Sequence, residues 1–356
     1  MRKKIRIFMI GMSDHIGGVE TYITNLCDKM DKNAFEVIYS LPRMEIDGKL
    51  WLRPVNRHNF IKYFRFWRRF FSENKFEVIY YNTCDIVSTD MLYFAKRANI
   101  PVRIIHSHCA NDDWKLNFFQ KIQEKYSRKN IDKLATHFFA CSDEAGKWMF
   151  GSRKFEVIKN GIDYSKYQFD IKFREKCRSQ LLLKDEMLIG VIGRLVKLKN
   201  PYFGIEVLEK VLEKNPKAKM IYIGEGECKA ELAKLISEKK LDAHVQLLGS
   251  RSDVNEWMSA IDCLLMPSLF EGLPFTLVEA QAAGLPCIVS TAVPNEANIT
   301  GLVKFINLED DVEIWAEELI EACDKPRKMT SFQIVDEGYS IEDTAEMVSQ
   351  IIKNSI

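Results

Sequence analysis

The sequence of 356 residues lacks the features that mark secreted, zinc-binding and membrane-spanning proteins. Its nine cysteines include no C-x-x-C pair, and several of them stand in apolar runs. This usage is typical of reduced, buried thiols and argues against a disulfide framework or a zinc site. The basic N-terminus leads directly into a short strand-like run without the apolar core of a signal peptide. No run is long enough to cross a bilayer, so we expect a cytoplasmic protein.

The chain also lacks the common nucleotide-binding fingerprints. The glycines after the first strand-like run, Gly11, Gly17 and Gly18, do not have the G-x-G-x-x-G spacing, and no Walker lysine follows them. Paired glycines before a helix still let the backbone approach a phosphate, whose charge the helix N-terminus favours. A plain tight turn is the alternative interpretation of Gly17 and Gly18.

Length and charge point to two different halves. A chain of this size fits two domains better than one core. Residues 1–168 carry 29 Lys and Arg against 19 Asp and Glu, whereas residues 169–356 carry 22 against 31. The net charge of +1 hides this asymmetry. A basic first half is expected to meet an anionic partner.

Short apolar segments alternate with amphipathic helical patterns along the whole chain. This alternation predicts an α/β protein with two Rossmann-like, doubly wound domains, at 1–168 and 169–338, that face each other across a cleft. A closing helix at 339–356 is expected to pack back on the first domain. The predicted strands are Ile5–Ile10, Phe35–Ser40, Val78–Tyr81, Val102–Ile105 and His137–Ala140, then Leu188–Ile192, Met220–Ile223, Val245–Leu247, Cys263–Met266 and Cys287–Ser290.

Two histidines follow one predicted strand of the first half. Val102–Ile105 is followed by His106, Ser107 and His108, and residues two apart on an extended chain point the same way. Both imidazoles are therefore candidates to face a ligand. A structural pair of buried histidines is the alternative, and no nearby Glu or Cys stands at metal-ligand spacing.

In the second half a buried strand leads into a basic loop. Arg194 and Lys199 follow Leu188–Ile192, where ligands of such sheets bind. A guanidinium and an ammonium in that position neutralise a diphosphate. A solvated basic turn is the simpler alternative.

The most specific pattern is a pair of glutamates eight positions apart. Glu271 follows a strand, and Glu279 lies in the next predicted helix among small apolar residues that do not suit an exposed helix face. Gly272 lets the backbone bend, and a helix beginning near Phe275 points its N–H groups at the loop. Such a helix end holds phosphate, and a carboxylate further along accepts hydrogen bonds from ribose hydroxyls.

At these residues the chain resembles the retaining family 4 glycosyltransferases, often called group 1. The resemblance covers nearly the whole chain, and the spacing of the two glutamates is its diagnostic feature. Where many members have a glycine-rich turn before a glutamate, this chain has Ser290-Thr-Ala-Val-Pro-Asn-Glu296, as in a subgroup associated with capsule and exopolysaccharide assembly. The matching elements are Gly17-Gly18-Val-Glu20, Ser142-Asp-Glu144, Asn160-Gly-Ile-Asp163, Gly193-Arg194 with Lys199, Gly224-Glu-Gly226, and Glu271 with Glu279.

The resemblance implies a GT-B fold and a set of roles. One histidine, His108 or His106, would contact the transferred sugar, Glu271 would bond it, and Glu279 would bond the ribose. No metal or other cofactor is implied, which agrees with the absence of a D-x-D triplet. The remaining donor-binding residues are Gly17 and Gly18 near the diphosphate, Arg194 and Lys199 on the phosphates, and the backbone of Gly272, Leu273, Pro274, Phe275 and Thr276.

The expected function is transfer of a sugar, with retention, from a nucleotide diphosphate (UDP by family habit) to a lipid-linked or growing glycan. The alternatives are a GT-B-fold nucleotide-sugar epimerase and an inactive scaffold subunit. A scaffold would be expected to have lost Lys199 or Glu271, and both are present. A donor-only incubation separates the epimerase from the transferase.

Two basic segments in the first half suggest a membrane surface. Residues 57–71 interleave five Arg and Lys with seven aromatics, and a second basic run spans residues 115–133. Such segments lie on anionic membranes, so we expect peripheral binding to the inner face of the cell membrane. A helix whose aromatics belong to the core is the alternative. No nucleic-acid module accompanies the segments, so nucleic acid is not an expected partner.

Overall fold

The computed structural model describes residues 3–13, 17–40, 51–52, 59–109 and 116–356. The chain divides into two compact units, of which the first contains residues 1–161 and 341–356 and the second contains residues 162–340. The second unit begins at Ile162, before the predicted boundary at 168, because Ile162 pairs with Ser340 and packs in an apolar cluster with Val278 and Tyr339.

The seven strands described in the first unit form one parallel sheet in the order β3-β2-β1-β4-β5-β6-β7. All six positions of β4 are buried, as expected for a parallel strand covered on both faces. In the register of β4 with β5, Asn82 lies opposite His106. The strands are β1 (Ile5–Ile10), β2 (Phe35–Ser40), β3 (Trp51–Leu52), β4 (Val78–Thr83), β5 (Val102–Ser107), β6 (His137–Ala140) and β7 (Glu156–Val157).

Six helices of the first unit are described, and the last one comes from the C-terminal end of the chain. That helix, α13 (Ile341–Asn354), packs against α1 (Gly18–Lys29). The helix α3 (Asp90–Arg97) packs against both α2 (Phe60–Glu73) and α4 (Phe118–Leu134). The remaining helix is α5 (Asp143–Phe150).

Most aromatic side chains of α2 belong to the core. The ring centroid of Phe8 on β1 lies 5.9, 5.2 and 5.7 Å from those of Trp67, Phe70 and Phe71. Aromatic pairs at such distances add to the free energy gained by burial. The packing interpretation is therefore right for this part of residues 57–71, while Arg57 and His58 lie outside the described residues.

The six strands of the second unit form a parallel sheet in the order β10-β9-β8-β11-β12-β13. Besides the cluster that contains Ile162, two larger apolar clusters pack in this unit, one around Trp315 and the other around Trp257. The strands are β8 (Leu188–Ile192), β9 (Lys219–Ile223), β10 (Val245–Gly249), β11 (Cys263–Met266), β12 (Cys287–Ser290) and β13 (Val303–Ile306). The helices are α6 (Ile171–Gln180), α7 (Pro201–Lys214), α8 (Lys229–Glu238), α9 (Val254–Ala260), α10 (Phe275–Ala282), α11 (Val312–Cys323) and α12 (Ser331–Asp336). Short 3-10 turns span Tyr164–Tyr167, Lys197–Lys199 and Asn295–Ala297.

Candidate functional site

The loop between β1 and α1 places its paired glycines at the start of the helix. Gly17 precedes the helix, which begins at Gly18, and the Gly17 N–H donates to the carboxylate of Glu20 over 3.1 Å. Ser13 donates to the same carboxylate over 2.5 Å. The N–H group of the residue that caps α1 is therefore already bonded to an acidic side chain. Residues 14–16 of the motif lie outside the described residues.

The two histidine rings lie side by side, tilted by 35°, on the same side of the chain as the two-residue spacing predicted. β5 continues through Ser107, so His106 lies inside the strand and His108 just beyond it. Their ring centroids are 4.1 Å apart. His106 Nδ1 hydrogen-bonds the Tyr80 hydroxyl over 3.0 Å, and that hydroxyl contacts the Tyr22 hydroxyl over 2.9 Å. His106 is thus held deep in the core by a buried tyrosine pair.

His108 has a different partner. Its Nε2 lies 2.9 Å from the amide oxygen of Asn82, which stands opposite His106 in the neighbouring strand β4. Burial lowers the pKa of His108 to about 3, and the amide of Asn160 opposes this shift. Burial, together with the neighbouring His108, also holds the pKa of His106 well below its usual range. Both imidazoles are therefore neutral at physiological pH.

A covalent bond links the segments that follow β4 and β5. Cys84 and Cys109 form a disulfide, with their Cα atoms 4.9 Å apart. The prediction of reduced thiols is wrong for this pair, because two parallel neighbouring strands end together and bring the two cysteines within bonding reach. It fits the other seven cysteines, which take part in no disulfide, and six of those are buried.

In the second unit, the loop after β8 carries the predicted phosphate-binding cations. Arg194 is exposed and makes no ion pair within the described part of the chain, whereas Lys199 is half-buried at the end of a 3-10 turn. The loop after β9 packs closely on it. A Cβ atom at Gly224 would lie 1.9 Å from the carbonyl oxygen of Gly193, so Gly224 permits this approach.

Lys199 and Glu271 are in direct contact. The Lys199 ammonium forms an ion pair with Glu271 Oε1, and the Ser268 hydroxyl donates to the same oxygen over 2.7 Å. The Glu271 side chain is only 7% exposed, so these two partners take the place of water around its carboxylate. Ser268 is in turn fixed through its carbonyl oxygen, which accepts a hydrogen bond from Ser290 at the end of β12.

The segment after Glu271 bends into α10 as the sequence predicted. Nothing lies within 4 Å of a Cβ atom built on Gly272, so the space beside this residue is open. Pro274 directly precedes the helix, which begins at Phe275 and runs for eight residues. The N–H groups of Phe275 and Thr276 belong to the first turn, where a helix leaves donors without intrahelical partners. An open loop therefore leads into a set of unused backbone donors.

Glu279 is buried within α10 and has one tyrosine as partner. The Tyr167 hydroxyl donates to Glu279 Oε1 over 2.7 Å. Burial raises the pKa of Glu279 to about 7, against the smaller lowering effect of this hydrogen bond. The carboxyl group therefore titrates near neutral pH. Tyr167 lies in the 3-10 turn that follows the Asn160–Asp163 motif, and no sequence pattern predicted its contact.

The described parts of the chain add two further observations. In them, no group of three or more His, Cys, Asp or Glu side chains is arranged to hold a metal ion. None of the helices described combines the length and the apolar character that a membrane span requires. Glu296 lies exposed in a 3-10 turn.

Two family models match the chain, one to each half. Residues 173–333 match the model described as glycosyl transferases group 1, and residues 16–166 match the model described as glycosyltransferase family 4.

Two relatives show how far the sequence similarity extends. The chain is 29% identical to EpsF of Bacillus subtilis (strain 168) over 352 residues, which is 93% of this chain and 90% of that protein. It is 31% identical over 176 residues to an Escherichia coli protein named UDP-Gal:alpha-D-GlcNAc-diphosphoundecaprenol alpha-1,3-galactosyltransferase, covering 48% of this chain and 46% of that one.

Solved structures share the fold over nearly the whole chain. HepE of Anabaena in complex with UDP superposes with a TM-score of 0.76 at 18% identity, covering 98% of this chain and 100% of that one. WaaG, described as a glycosyltransferase involved in lipopolysaccharide biosynthesis, gives a TM-score of 0.72 at 16% identity, with coverage of 97% and 99%. The two family models together span most of the sequence, and the protein therefore belongs to the group 1 glycosyltransferases and has their GT-B fold.

Proposed function

We propose that the protein is a retaining, metal-independent glycosyltransferase that uses a UDP-sugar donor. The observation that carries the proposal is the Lys199–Glu271 ion pair, which directly precedes the first turn of α10. The ammonium of Lys199 contacts the carboxylate of Glu271. Four residues after Glu271, α10 begins with N–H groups that have no intrahelical partner. This combination can bind a diphosphate and a sugar hydroxyl at neighbouring positions.

The donor's phosphates are assigned to the basic loop after β8. Arg194 is exposed and without an ion-pair partner among the described residues, so its guanidinium is available to an anion. Lys199 shares its charge with Glu271 and would exchange part of that contact for a phosphate oxygen. The N–H groups of Gly272, Leu273, Phe275 and Thr276 would complete the cradle, and the family resemblance assigns Gly17 and Gly18 to the same diphosphate.

The sugar and the ribose are assigned to carboxylates. Glu271 would accept a hydrogen bond from a hydroxyl of the transferred sugar, and Glu279 would accept from the ribose through the oxygen that Tyr167 does not use. His108 is preferred over His106 for a contact with the sugar, because His106 is fully buried and already bonded to Tyr80. UDP is favoured as the nucleotide because HepE was crystallised with UDP and the E. coli relative is named for UDP-Gal.

In the proposed reaction the acceptor hydroxyl attacks from the face that the departing diphosphate leaves. The bond from the anomeric carbon to the phosphate oxygen breaks as the bond to the acceptor oxygen forms, and the leaving phosphate takes the hydroxyl proton. Arg194 and Lys199 stabilise the charge that develops on the phosphate, which is the role of a metal ion in other transferases. The acceptor would be a lipid-linked or growing glycan of a bacterial surface polysaccharide, and the name of the E. coli relative, which includes diphosphoundecaprenol, supports the lipid-linked form.

A binding panel tests this proposal. Calorimetry with UDP, GDP, ADP and CMP, each without metal and with magnesium, should show one preferred diphosphate whose affinity does not need the metal. Lys199→Ala should abolish that binding. Lys197→Ala is the matched control, because Lys197 lies in the same turn and is exposed. Absence of binding to all four nucleotides would refute the proposal.

We also propose that α4 is the part of the first unit that contacts an anionic membrane surface. Among its 17 residues only Ser127 and Ile131 are buried. On the outer side Phe118, Phe119, Ile122 and Tyr126 are 72%, 79%, 53% and 67% exposed. Large apolar side chains clustered in this way on a surface mark an interaction site.

The charge on α4 favours a membrane as the partner. Lys121, Lys125 and Lys129 stand one turn apart beside the exposed apolar residues, and none of the three makes an ion pair with another described residue. Apolar side chains between free lysines are the combination that inserts between anionic headgroups. Of the two predicted basic segments, the run at 115–133 supports the proposal better through α4 than residues 57–71 do through α2, whose aromatics are mostly buried; Lys115 itself lies outside the described residues.

A further inference from the structure

Three buried polar atoms near the end of β5 lack the partners that buried polar groups normally have. Five buried side-chain nitrogen or oxygen atoms make no hydrogen bond within the described residues, and two of them belong to tryptophans. The others are His106 Nε2, His108 Nδ1 and Asn160 Oδ1. Buried groups of this kind require an explanation, and a ligand that satisfies them is one. The surroundings of His108 indicate which kind of ligand would bind there.

The amide of Asn82 has only one reasonable orientation. Its Nδ2 group donates to the carbonyl oxygen of Ile10 over 2.9 Å. The opposite orientation would place two acceptor oxygens against each other, so the amide oxygen must be the atom that faces His108. Gly11 makes this contact possible, because a Cβ atom there would lie 2.7 Å from the Asn82 Cβ atom.

The orientation of Asn82 fixes the proton on His108. An amide oxygen can only accept, so the His108 Nε2 atom 2.9 Å away must carry hydrogen. A neutral imidazole has one protonated and one bare nitrogen. The hydrogen bond made by one ring nitrogen determines whether the other nitrogen carries the proton. Nδ1 is therefore the bare nitrogen, and it is buried without a donor.

We infer that Asn82 is a positioning residue, which holds His108 as the Nε2–H tautomer so that Nδ1 accepts a hydrogen bond from a sugar hydroxyl. The inference rests on the proposed function for the identity of the hydroxyl, whereas the tautomer rests on the contact with Asn82. Asn160 Oδ1 is a second buried acceptor close to His108. Two acceptors suit a pair of neighbouring hydroxyl groups, which is what a sugar ring offers.

The tautomer can be measured without any substrate. In the full-length protein labelled with 15N-histidine, a long-range 1H–15N spectrum separates protonated from bare ring nitrogens. There are six histidines, and His108→Gln identifies the signals of His108. We expect its Nε2 to be protonated and its Nδ1 to be bare. A wild-type spectrum in which the Nδ1 atom of His108 is protonated overturns the inference.

Variants then test the role of Asn82. Asn82→Leu keeps the size of the side chain and removes the acceptor, so the His108 signals should change to a mixture of tautomers. Tyr80→Phe is the matched control, because it removes the partner of His106 and should leave the tautomer of His108 unchanged. An unchanged His108 spectrum in folded Asn82→Leu would contradict the inference.

Kinetics separate this inference from the proposed function. With UDP-galactose as the probe donor, Asn82→Leu should lower kcat about 10–100-fold with little change in KM, as is typical when a positioned histidine loses its orienting partner. If the wild-type protein turns over no UDP-sugar, the proposed function fails while the tautomer result still stands. If turnover is normal but Nδ1 is protonated, only the inference about Asn82 fails.

Discussion

The hydroxyl of Tyr167 donates a 2.7 Å hydrogen bond to Oε1 of Glu279, a carboxyl group inside α10. Burial raises the pKa of that carboxyl group to about 7. Its charge therefore changes near neutral pH, unlike that of an exposed glutamate. If Glu279 binds the ribose of the donor, nucleotide affinity must follow this titration.

We predict that donor affinity falls as the pH is lowered through 7. Ribose hydroxyls bind the ionised carboxylate better than the neutral acid. With a pKa of about 7, the ionised fraction of Glu279 drops about tenfold between pH 8 and pH 6. Calorimetry with UDP-glucose should show a loss of affinity approaching that factor. UDP-glucose is a better probe than UDP, whose terminal phosphate titrates in the same range.

Glu279→Gln is the control for this pH dependence and tests the stability of the fold as well. The variant should bind UDP-glucose weakly and equally at pH 6 and pH 8. Because the folded-state pKa is raised, the stabilising effect of the neutral acid is complete below the unfolded value near 4.5 and is lost as the pH rises through 7. The variant should thus gain up to about 3 kcal/mol over wild type at pH 8 and nothing at pH 4. Equal urea midpoints at pH 8 would contradict the burial argument.

Tyr167→Phe should move the same titration upward. The hydroxyl hydrogen bond favours the ionised form, so removing it raises the pKa of Glu279 further. The pH at which UDP-glucose affinity is half lost should therefore lie above that of wild type. An unchanged midpoint would mean that Tyr167 does not influence Glu279 in solution.

Lys199→Ala should weaken both the fold and the reaction. The substitution leaves the Glu271 carboxylate buried with only the Ser268 hydroxyl as partner. We expect a loss of about 1–3 kcal/mol in the free energy of unfolding, measured with urea. Turnover should fall about 10²–10³-fold, because a preorganised charge at the leaving group is missing.

Two comparisons show whether these losses come from the ion pair. Lys197→Ala should leave stability and turnover near wild type, since that side chain is exposed in the same turn. Lys199→Met combined with Glu271→Gln should recover stability relative to Lys199→Ala without recovering activity. Recovery of activity in the double variant would show that neither charge takes part in the reaction.

Much of the fold can be predicted from the sequence because buried parallel strands are continuous runs of apolar residues. Ile5–Ile10, Leu188–Ile192 and Cys287–Ser290 begin and end where the pattern predicts. β5 is longer than predicted, because the polar residues His106 and Ser107 still pair with β6. A prediction from apolar periodicity ends the strand at the last apolar residue, although polar residues beyond it can still form the hydrogen bonds of the sheet.

The site could be predicted only where a motif spans few residues. Glu271 and Glu279 stand in one such motif, and the structure places them in the loop and helix that their spacing indicates. No local sequence pattern predicted which residues of distant segments contact the site residues. Tyr167 reaches Glu279 from 112 positions away, and Cys84 bonds Cys109 only because two strands end side by side. Such contacts depend on the sheet order, which local patterns do not specify.

Counting the cysteines that react with an alkylating reagent tests the disulfide between Cys84 and Cys109 directly. If Cys84 and Cys109 are bonded, alkylation of the unfolded, unreduced protein should modify seven cysteines, and alkylation after reduction should modify nine. Mass spectrometry of intact protein and of the linked peptide gives both numbers. Cys84→Ser with Cys109→Ser is the control and should give seven under both conditions. Nine modified cysteines without a reductant would show that the pair is not bonded.

The last prediction concerns α4 and anionic lipid. The protein should sediment with vesicles that contain phosphatidylglycerol, less so at high salt, and not with vesicles of phosphatidylcholine alone. Lys121→Ser with Lys125→Ser should weaken binding about 30-fold, since each lysine near an anionic surface contributes about 1 kcal/mol.

The apolar contribution of α4 needs a separate variant and a matched control. Phe118→Ser with Phe119→Ser should reduce binding to both low-salt and high-salt vesicles, because the lost term is apolar and salt does not screen it. Leu182→Ser removes an equally exposed apolar side chain, 90% accessible, from the second unit and should leave binding unchanged. If Leu182→Ser weakens sedimentation as much as the α4 variants do, general surface hydrophobicity explains the binding. If no variant alters it, the lipid contact lies elsewhere in the chain.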